Sequence, residues 1–78
     1  MPTRRHLTQT TKQLYRVDRR EIAFIRFILE AYDGVAIVKT LDPASGLVEF
    51  QIAPGFEPDF AMILRDLERD IMMEPVPI

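Results

Sequence analysis

The sequence predicts an α+β sandwich in which two helices cover one face of a four-stranded antiparallel sheet. Apolar patterns with strand and helix periods follow one another in the order strand, helix, strand, strand, helix, strand. Turn residues separate most of these patterns, and 78 residues leave room for a single domain. Because a domain of this size buries only about 60% of the surface of its unfolded chain, a partner surface would add to its stability.

The first strand is predicted over Lys12–Val17, with Tyr15 and Val17 on the face that meets the helices. Asp18 then begins a helix. It stands three residues before Glu21, which is the spacing of a capping box. We therefore expect the Asp18 carboxylate to accept a hydrogen bond from the backbone amide of Glu21.

The first helix is more apolar than one packed face requires. It is predicted to end near residue 33, before Gly34, a residue suited to a left-handed C-cap. Its apolar residues cover roughly 220° of the helical wheel. One sheet does not cover so wide a surface, so the excess is a candidate subunit interface. The candidate residues are Phe24, Phe27 and Ala31 on this helix, and Leu14 and Leu47 on the open face of the sheet as the competing choice.

A hairpin is predicted next, with strands over 35–41 and 47–52 and a turn over 42–46. Period-two alternation places Val48, Phe50 and Ile52 toward the helices. The turn contains Ser45 and Gly46, a pair that also occurs in phosphate-binding loops. Ordinary turn chemistry accounts for both residues, so the hairpin interpretation is preferred.

The second helix is predicted to open at Glu57, followed by Pro58 in its first turn. Its core-facing stripe consists of Phe60, Ile63, Leu64, Leu67 and Ile71. The last segment, 72–78, begins with two methionines that we expect to pack against the core. Its two prolines are two residues apart, so both positions that lack an amide hydrogen can face away from the neighbouring strand, which fits an edge strand. An extended tail on the surface is the alternative.

These elements together predict a ferredoxin-like βαββαβ domain over 12–78, preceded by a flexible basic N-terminal arm over 1–11. The net charge is −2, but it is unevenly distributed. The first 20 residues hold six basic residues and one acidic residue, whereas the remainder holds four basic and eleven acidic residues. This asymmetry fits an anionic partner, self-association or a solvated tail.

The sequence lacks the combinations of side chains that common catalytic and metal sites require. His6 is the one histidine and Ser45 the one serine, so neither a catalytic triad nor a histidine metal site can be assembled. The carboxylate pairs, Asp66 with Asp70 and Glu57 with Asp59, fit a solvated helix surface. We predict no enzyme activity, no metal and no cofactor. The absence of cysteine, signal peptide and membrane-length apolar run predicts a cytoplasmic protein without membrane association.

Three arginines surround the first strand-to-helix turn, namely Arg16, Arg19 and Arg20. Positive side chains at a helix N-terminus are unfavourable because that end of the helix dipole is itself positive. A negatively charged group is therefore expected to compensate them. A bound carboxylate or phosphate is one compensating partner, which makes these residues the candidate ligand site. Acidic residues of the same or a neighbouring chain are the alternative partners.

Three runs, residues 15–18, 27–34 and 40–43, resemble a family of short bacterial proteins defined by a domain of unknown function. The resemblance extends from Tyr15 to about Leu67 and implies a stand-alone bacterial cytoplasmic protein. More distantly, the order of elements resembles ACT-type regulatory domains, which share this fold, dimerise and bind amino acids near the first strand-to-helix turn. ACT domains usually carry a glycine in that turn, where this sequence has four charged residues.

The sequence thus predicts a small regulatory or adaptor module that forms a homo-oligomer, expected to be a dimer, with a protein partner or an anionic small molecule as further ligands. The alternative is a nucleic-acid-binding module that uses the basic arm. Such modules need exposed aromatic residues on the sheet. Parity turns Tyr15 and Phe50 toward the helices and leaves Glu49 and Gln51 outside. Nucleic acid is therefore the less favoured partner.

Overall fold

The structure, a computed structural model, describes residues 10–77. Most of the predicted N-terminal arm, including His6, lies outside the described residues. Within the described range, no helix combines the length and apolar character needed to cross a membrane. The elements are β1 (Thr11–Val17), a 3₁₀ turn (Arg19–Glu21), α1 (Ile22–Ala31), β2 (Ala36–Asp42), β3 (Leu47–Ile52), α2 (Glu57–Asp70) and β4 (Met73–Val76).

The four strands form one antiparallel sheet in the order β2-β3-β1-β4. The order of elements and the sheet together confirm the predicted ferredoxin-like α+β fold. The last segment is an edge strand rather than a surface tail, since Met73 pairs with Val17 and Pro75 with Tyr15. An edge strand tolerates proline because one side of it has no ladder hydrogen bonds to lose.

The core lies between the inner face of the sheet and the two helices. Val48, Phe50 and Ile52 are fully buried there, which confirms the parity predicted for β3. The Phe50 ring packs against Phe60 of α2 with ring centroids 5.2 Å apart and meets the edge of Tyr15 at 5.7 Å. Burial of an aromatic side chain of this size contributes about 1.5–3 kcal/mol. These contacts attach α2 to the centre of the sheet.

Burial also changes the ionisation of Tyr15. Removal from water disfavours the phenolate and raises the pKa of Tyr15 above its ordinary value, and the negative charge of Glu68 raises it further. The neutral phenol is therefore the form that the core accommodates.

The junction of β1 and α1 differs in detail from the predicted capping box. Asp18 is the N-cap, but its carboxylate accepts a hydrogen bond from the amide of Arg20 at 3.0 Å rather than from Glu21. The amide of Glu21 instead donates to the backbone carbonyl of Asp18 at 2.8 Å. The reason is that the first turn is a 3₁₀ helix, whose tighter winding satisfies that amide within the backbone.

The β2–β3 turn uses its polar residues internally. The Asp42 carboxylate accepts hydrogen bonds from the amide of Ala44 at 3.1 Å and from the Ser45 hydroxyl at 2.9 Å. Gly46 has a φ of +77°, in the left-handed region that favours glycine. The Ser45 hydroxyl therefore serves the turn, as the hairpin interpretation predicted.

Met72 does not pack against the core as predicted. Its side chain is 77% exposed, whereas Ile71 before it is buried and Met73 after it packs against the core. The chain is extended here because α2 has ended, so successive side chains point to opposite sides. The carbonyl of Met72 accepts a hydrogen bond from the amide of Asp18 at 3.3 Å, which joins the end of α2 to the start of α1.

Candidate functional site

Helix α1 is apolar on two opposite sides. Its inner side buries Ile25 and Leu29 completely or nearly so. On the outer side, Phe24 is 47% exposed and Phe27 is 65% exposed, and Ala31 is exposed as well. These three residues stand at positions i, i+3 and i+7, so they share one side of the helix. We call them the outer α1 stripe.

A groove runs between α1 and α2, with Ile28, Ile63 and Leu67 among its apolar lining residues. Phe24 of α1 and Asp70 at the C-terminal end of α2 line one cavity of this groove, and Tyr32 and Asp59 near the N-terminal end of α2 line the other. The two helices are therefore antiparallel. We call this feature the interhelical groove.

The interhelical groove contains two open cavities of about 190 and 300 Å³. Tyr32, Ile63 and Asp66 line both of them. Sites that enclose a drug-sized molecule usually measure about 300–1,000 Å³. The larger cavity reaches the lower end of that range, and the smaller one lies below it.

Three carboxylates of α2 form an acidic rim along the interhelical groove, namely Asp59, Asp66 and Asp70. Their spacing of seven and four residues places them on one side of the helix. Arg69 approaches Asp66 at 3.9 Å, but both side chains are about 70% exposed, so this ion pair contributes little. Within residues 10–77, no group of three potential ligands is arranged to hold a metal ion.

The sequence predicts that Glu57 and Asp59 lie on a solvated surface. It does not predict the hydrogen bonds that the Glu57 carboxylate accepts. Its Oε2 accepts a hydrogen bond from the Thr11 hydroxyl at 3.0 Å, and its Oε1 accepts one from the amide of Gly55 at 3.1 Å. The pKa of Glu57 is lowered, first by a hydrogen bond from its own amide and then by those from Thr11 and Gly55. Glu57 therefore attaches the start of β1 to the start of α2.

The arginines of the β1–α1 junction have different environments. The Arg20 guanidinium donates from Nε to Asp18 Oδ1 at 3.2 Å and from Nη2 to Asp18 Oδ2 at 2.9 Å. This bidentate pairing lowers the pKa of Asp18 and raises that of Arg20. Arg16 lies on the open face of the sheet in register with Glu74, and Arg19 is exposed in the 3₁₀ turn. Of the three predicted ligand residues, Arg20 thus has an acidic partner in Asp18, and Arg16 has an acidic residue at the register position opposite it.

The open face of the sheet mixes apolar and charged residues. Leu14 and Leu47 are half-buried, in register with Glu49 and Arg16 respectively. Ile37 is 61% exposed at the edge strand β2. Leu14 is also in register with Val76 of β4, so the apolar residues of this face form a small half-buried pair beside charged neighbours.

The fold and these surfaces define a small ferredoxin-like α+β domain whose two helices expose apolar side chains on the side away from the sheet. The chain belongs to the family described as Domain of unknown function (DUF4911), whose model matches residues 15–71. That range includes the outer α1 stripe, the interhelical groove and the three arginines. No curated protein and no solved structure shows significant similarity to the chain.

Proposed function

We propose that this protein is a small non-enzymatic regulatory or adaptor module that self-associates through the outer α1 stripe. The observation that carries the proposal is the double-sided apolar character of α1. Ile25 is 0% exposed on the inner side, while Phe27 is 65% exposed on the outer side. Burial of apolar area contributes about 25 cal/mol per Å², and the centres of interfaces are rich in aromatic side chains and poor in charge.

The outer α1 stripe together with the interhelical groove is a better candidate interface than the open face of the sheet. Phe24 belongs to the outer α1 stripe and also lines the interhelical groove, so the apolar surface is continuous. On the open face, Leu14 has Val76 on one side and Glu49 on the other, Leu47 is in register with Arg16, and both leucines are already half-buried. Contiguous apolar patches, rather than scattered apolar residues, mark interaction surfaces.

The same residues favour self-association over nucleic-acid binding. Tyr15 and Phe50, the aromatic residues of the described strands, are buried under the helices and offer no stacking platform. The cysteine-free composition and the resemblance to short bacterial proteins support a bacterial cytoplasmic setting as part of the proposal.

An anionic ligand at Arg16, Arg19 and Arg20 is the second part of the proposal. The bidentate contact of Arg20 with Asp18 has the geometry with which guanidinium groups also bind free carboxylates and phosphates. Asp18 is then an internal competitor, because an external anion has to displace its carboxylate. This competition predicts weak binding to the wild-type protein.

The test is solution mass by light scattering after size exclusion, over a dilution series. Phe27→Glu and Ile37→Glu form a matched pair, since both replace a side chain that is more than 60% exposed and they lie on different faces. We expect a concentration-dependent dimer for the wild type and for Ile37→Glu, and a monomer for Phe27→Glu. A wild-type monomer at high micromolar concentration contradicts the proposal, and dissociation by Ile37→Glu alone moves the interface to the sheet.

A further inference from the structure

We infer that α1 pairs in antiparallel orientation with α1 of a second copy, so that Arg20 of each copy meets Glu30 of the other. The inference rests on the proposed self-association through the outer α1 stripe, and it adds the orientation and the register of the contact. Four exposed side chains form the row that carries it, namely Arg20, Ala23, Phe27 and Glu30. We call them the pairing row.

The pairing row has the spacing found along the contact side of paired helices. Its members stand at positions i, i+3, i+7 and i+10, which lie along one side of a helix. Arg20 belongs to the 3₁₀ turn that continues directly into α1, and its side chain is 83% exposed. Phe27 is 65% exposed in the middle of α1. A row of this kind fits the side of a second helix, because successive turns each present one side chain to it.

The pairing row is complementary to its own reverse. Antiparallel pairing about a two-fold axis level with Ile25 places Arg20 opposite Glu30 at both ends. The same register places Ala23 opposite Phe27, where the small side chain leaves space for the ring. Parallel two-fold pairing would instead place Arg20 against Arg20 and Glu30 against Glu30. Contacts between like charges disfavour that arrangement.

The charged groups at the two ends of the pairing row are available for this contact. Arg20 donates to Asp18 from Nε at 3.2 Å and from Nη2 at 2.9 Å, and this contact leaves Nη1 for a second carboxylate. Glu30 forms no ion pair with another residue of the described range 10–77. Antiparallel pairing also brings the C-terminal end of one helix dipole beside the N-terminal end of the other. Each end of α1 thereby acquires a group of opposite charge.

Cross-linking through introduced cysteines tests the orientation, since the sequence has no cysteine. Ala23→Cys and Ala31→Cys are a matched pair, because both replace an exposed alanine of α1. In the antiparallel register the two copies of residue 23 are about 6 Å apart along the helix axes, and those of residue 31 about 18 Å. We expect a short bis-maleimide reagent to link Ala23→Cys chains and to leave Ala31→Cys chains largely unlinked. Equal yields overturn the inference.

Charge reversal tests the register. Because an exposed ion pair contributes little, a neutral substitution such as Glu30→Gln is expected to leave the dimer nearly unchanged. Arg20→Glu and Glu30→Arg each make both contacts repulsive, so each is expected to weaken the dimer about tenfold in light scattering. An equimolar mixture of these two variants restores opposite charges at both ends and is expected to regain the wild-type dimer. Lys39→Glu and Glu74→Arg reverse the same charges on the open face and are expected to dimerise like the wild type.

The outcomes separate this inference from the proposed function. A wild-type monomer overturns both. A wild-type dimer that shows no rescue in the mixture, or one that both controls weaken equally, overturns the antiparallel register alone. Arg20→Glu also loses the contact with Asp18, so circular dichroism has to show that it folds. Where it does not fold, the two cysteine variants decide, because neither of them alters that contact.

Discussion

The backbone carbonyl of Gly46 accepts a hydrogen bond from the amide of Val17 at 2.9 Å, so the β2–β3 turn packs directly on the end of β1. Gly46 has a φ of +77°, and a Cβ atom added to it would overlap the carbonyl oxygen of Val17. Both the backbone conformation and the close approach require glycine here. The contact lies one residue before Asp18, so it helps to position the β1–α1 junction and its arginines.

We predict that Gly46→Ala destabilises the protein more than Gly34→Ala does. Both glycines have positive φ, which costs an alanine about 1–2 kcal/mol, but a Cβ on Gly34 meets open space. Gly34→Ala is thus the control for backbone strain alone. Urea denaturation measures the difference in the free energy of unfolding. Equal losses in the free energy of unfolding for the two variants would show that the end of β1 shifts easily to accommodate the added Cβ atom and that the contact with Val17 is unimportant.

Acid is predicted to destabilise the fold through Asp18 and Glu57. The pKa of each carboxyl is lowered in the folded state, mainly by hydrogen bonds to Arg20 for Asp18 and to backbone and Thr11 donors for Glu57. The unfolded chain therefore binds more protons below about pH 5. The stabilisation is present above the unfolded pKa and is lost as the pH falls through the folded one.

Thermal unfolding between pH 7 and pH 3 measures this effect. We expect Asp18→Asn and Glu57→Gln each to lower the melting temperature at pH 7 and to reduce its dependence on pH. Glu30→Gln, at an exposed position of α1, is the control and is expected to follow the wild-type curve. A wild-type pH dependence that persists in Asp18→Asn/Glu57→Gln would assign the acid sensitivity to other carboxyls.

Removal of the internal competitor is predicted to strengthen anion binding at the β1–α1 junction. In Asp18→Asn, Arg20 loses its bidentate carboxylate partner and becomes available to an external anion. We expect calorimetric titration with inorganic phosphate at low salt to give several-fold tighter binding than for the wild type. Asp33→Asn makes the same charge change beyond the far end of α1 and is expected to have no effect. Equal binding by all three proteins would argue against the arginine site.

Local signals determined much of this structure. Period-two alternation placed Val48 and Phe50 inside, because a strand turns successive side chains to opposite faces wherever it pairs. Gly34 adopts the left-handed conformation predicted for it, and Gly46 adopts the same conformation in its turn, since only glycine does so without strain. The two-sided apolar character of α1 was also evident from the sequence, because the helical period assigns each residue to a side of the helix. None of these features needs a distant partner.

The tertiary structure alone decided which distant groups meet. Pairing of Pro75 with Tyr15 settled that the last segment is a strand, and the bond from Thr11 to Glu57 joins residues 46 positions apart. The acidic rim became apparent only once α2 was placed beside α1, which turned solvated carboxylates such as Asp66 into the edge of a groove. The sequence determined the conformation of each element because short-range sterics and periodicity act within it. The surfaces between elements depend on how the chain brings those elements together, and no local pattern encodes that arrangement.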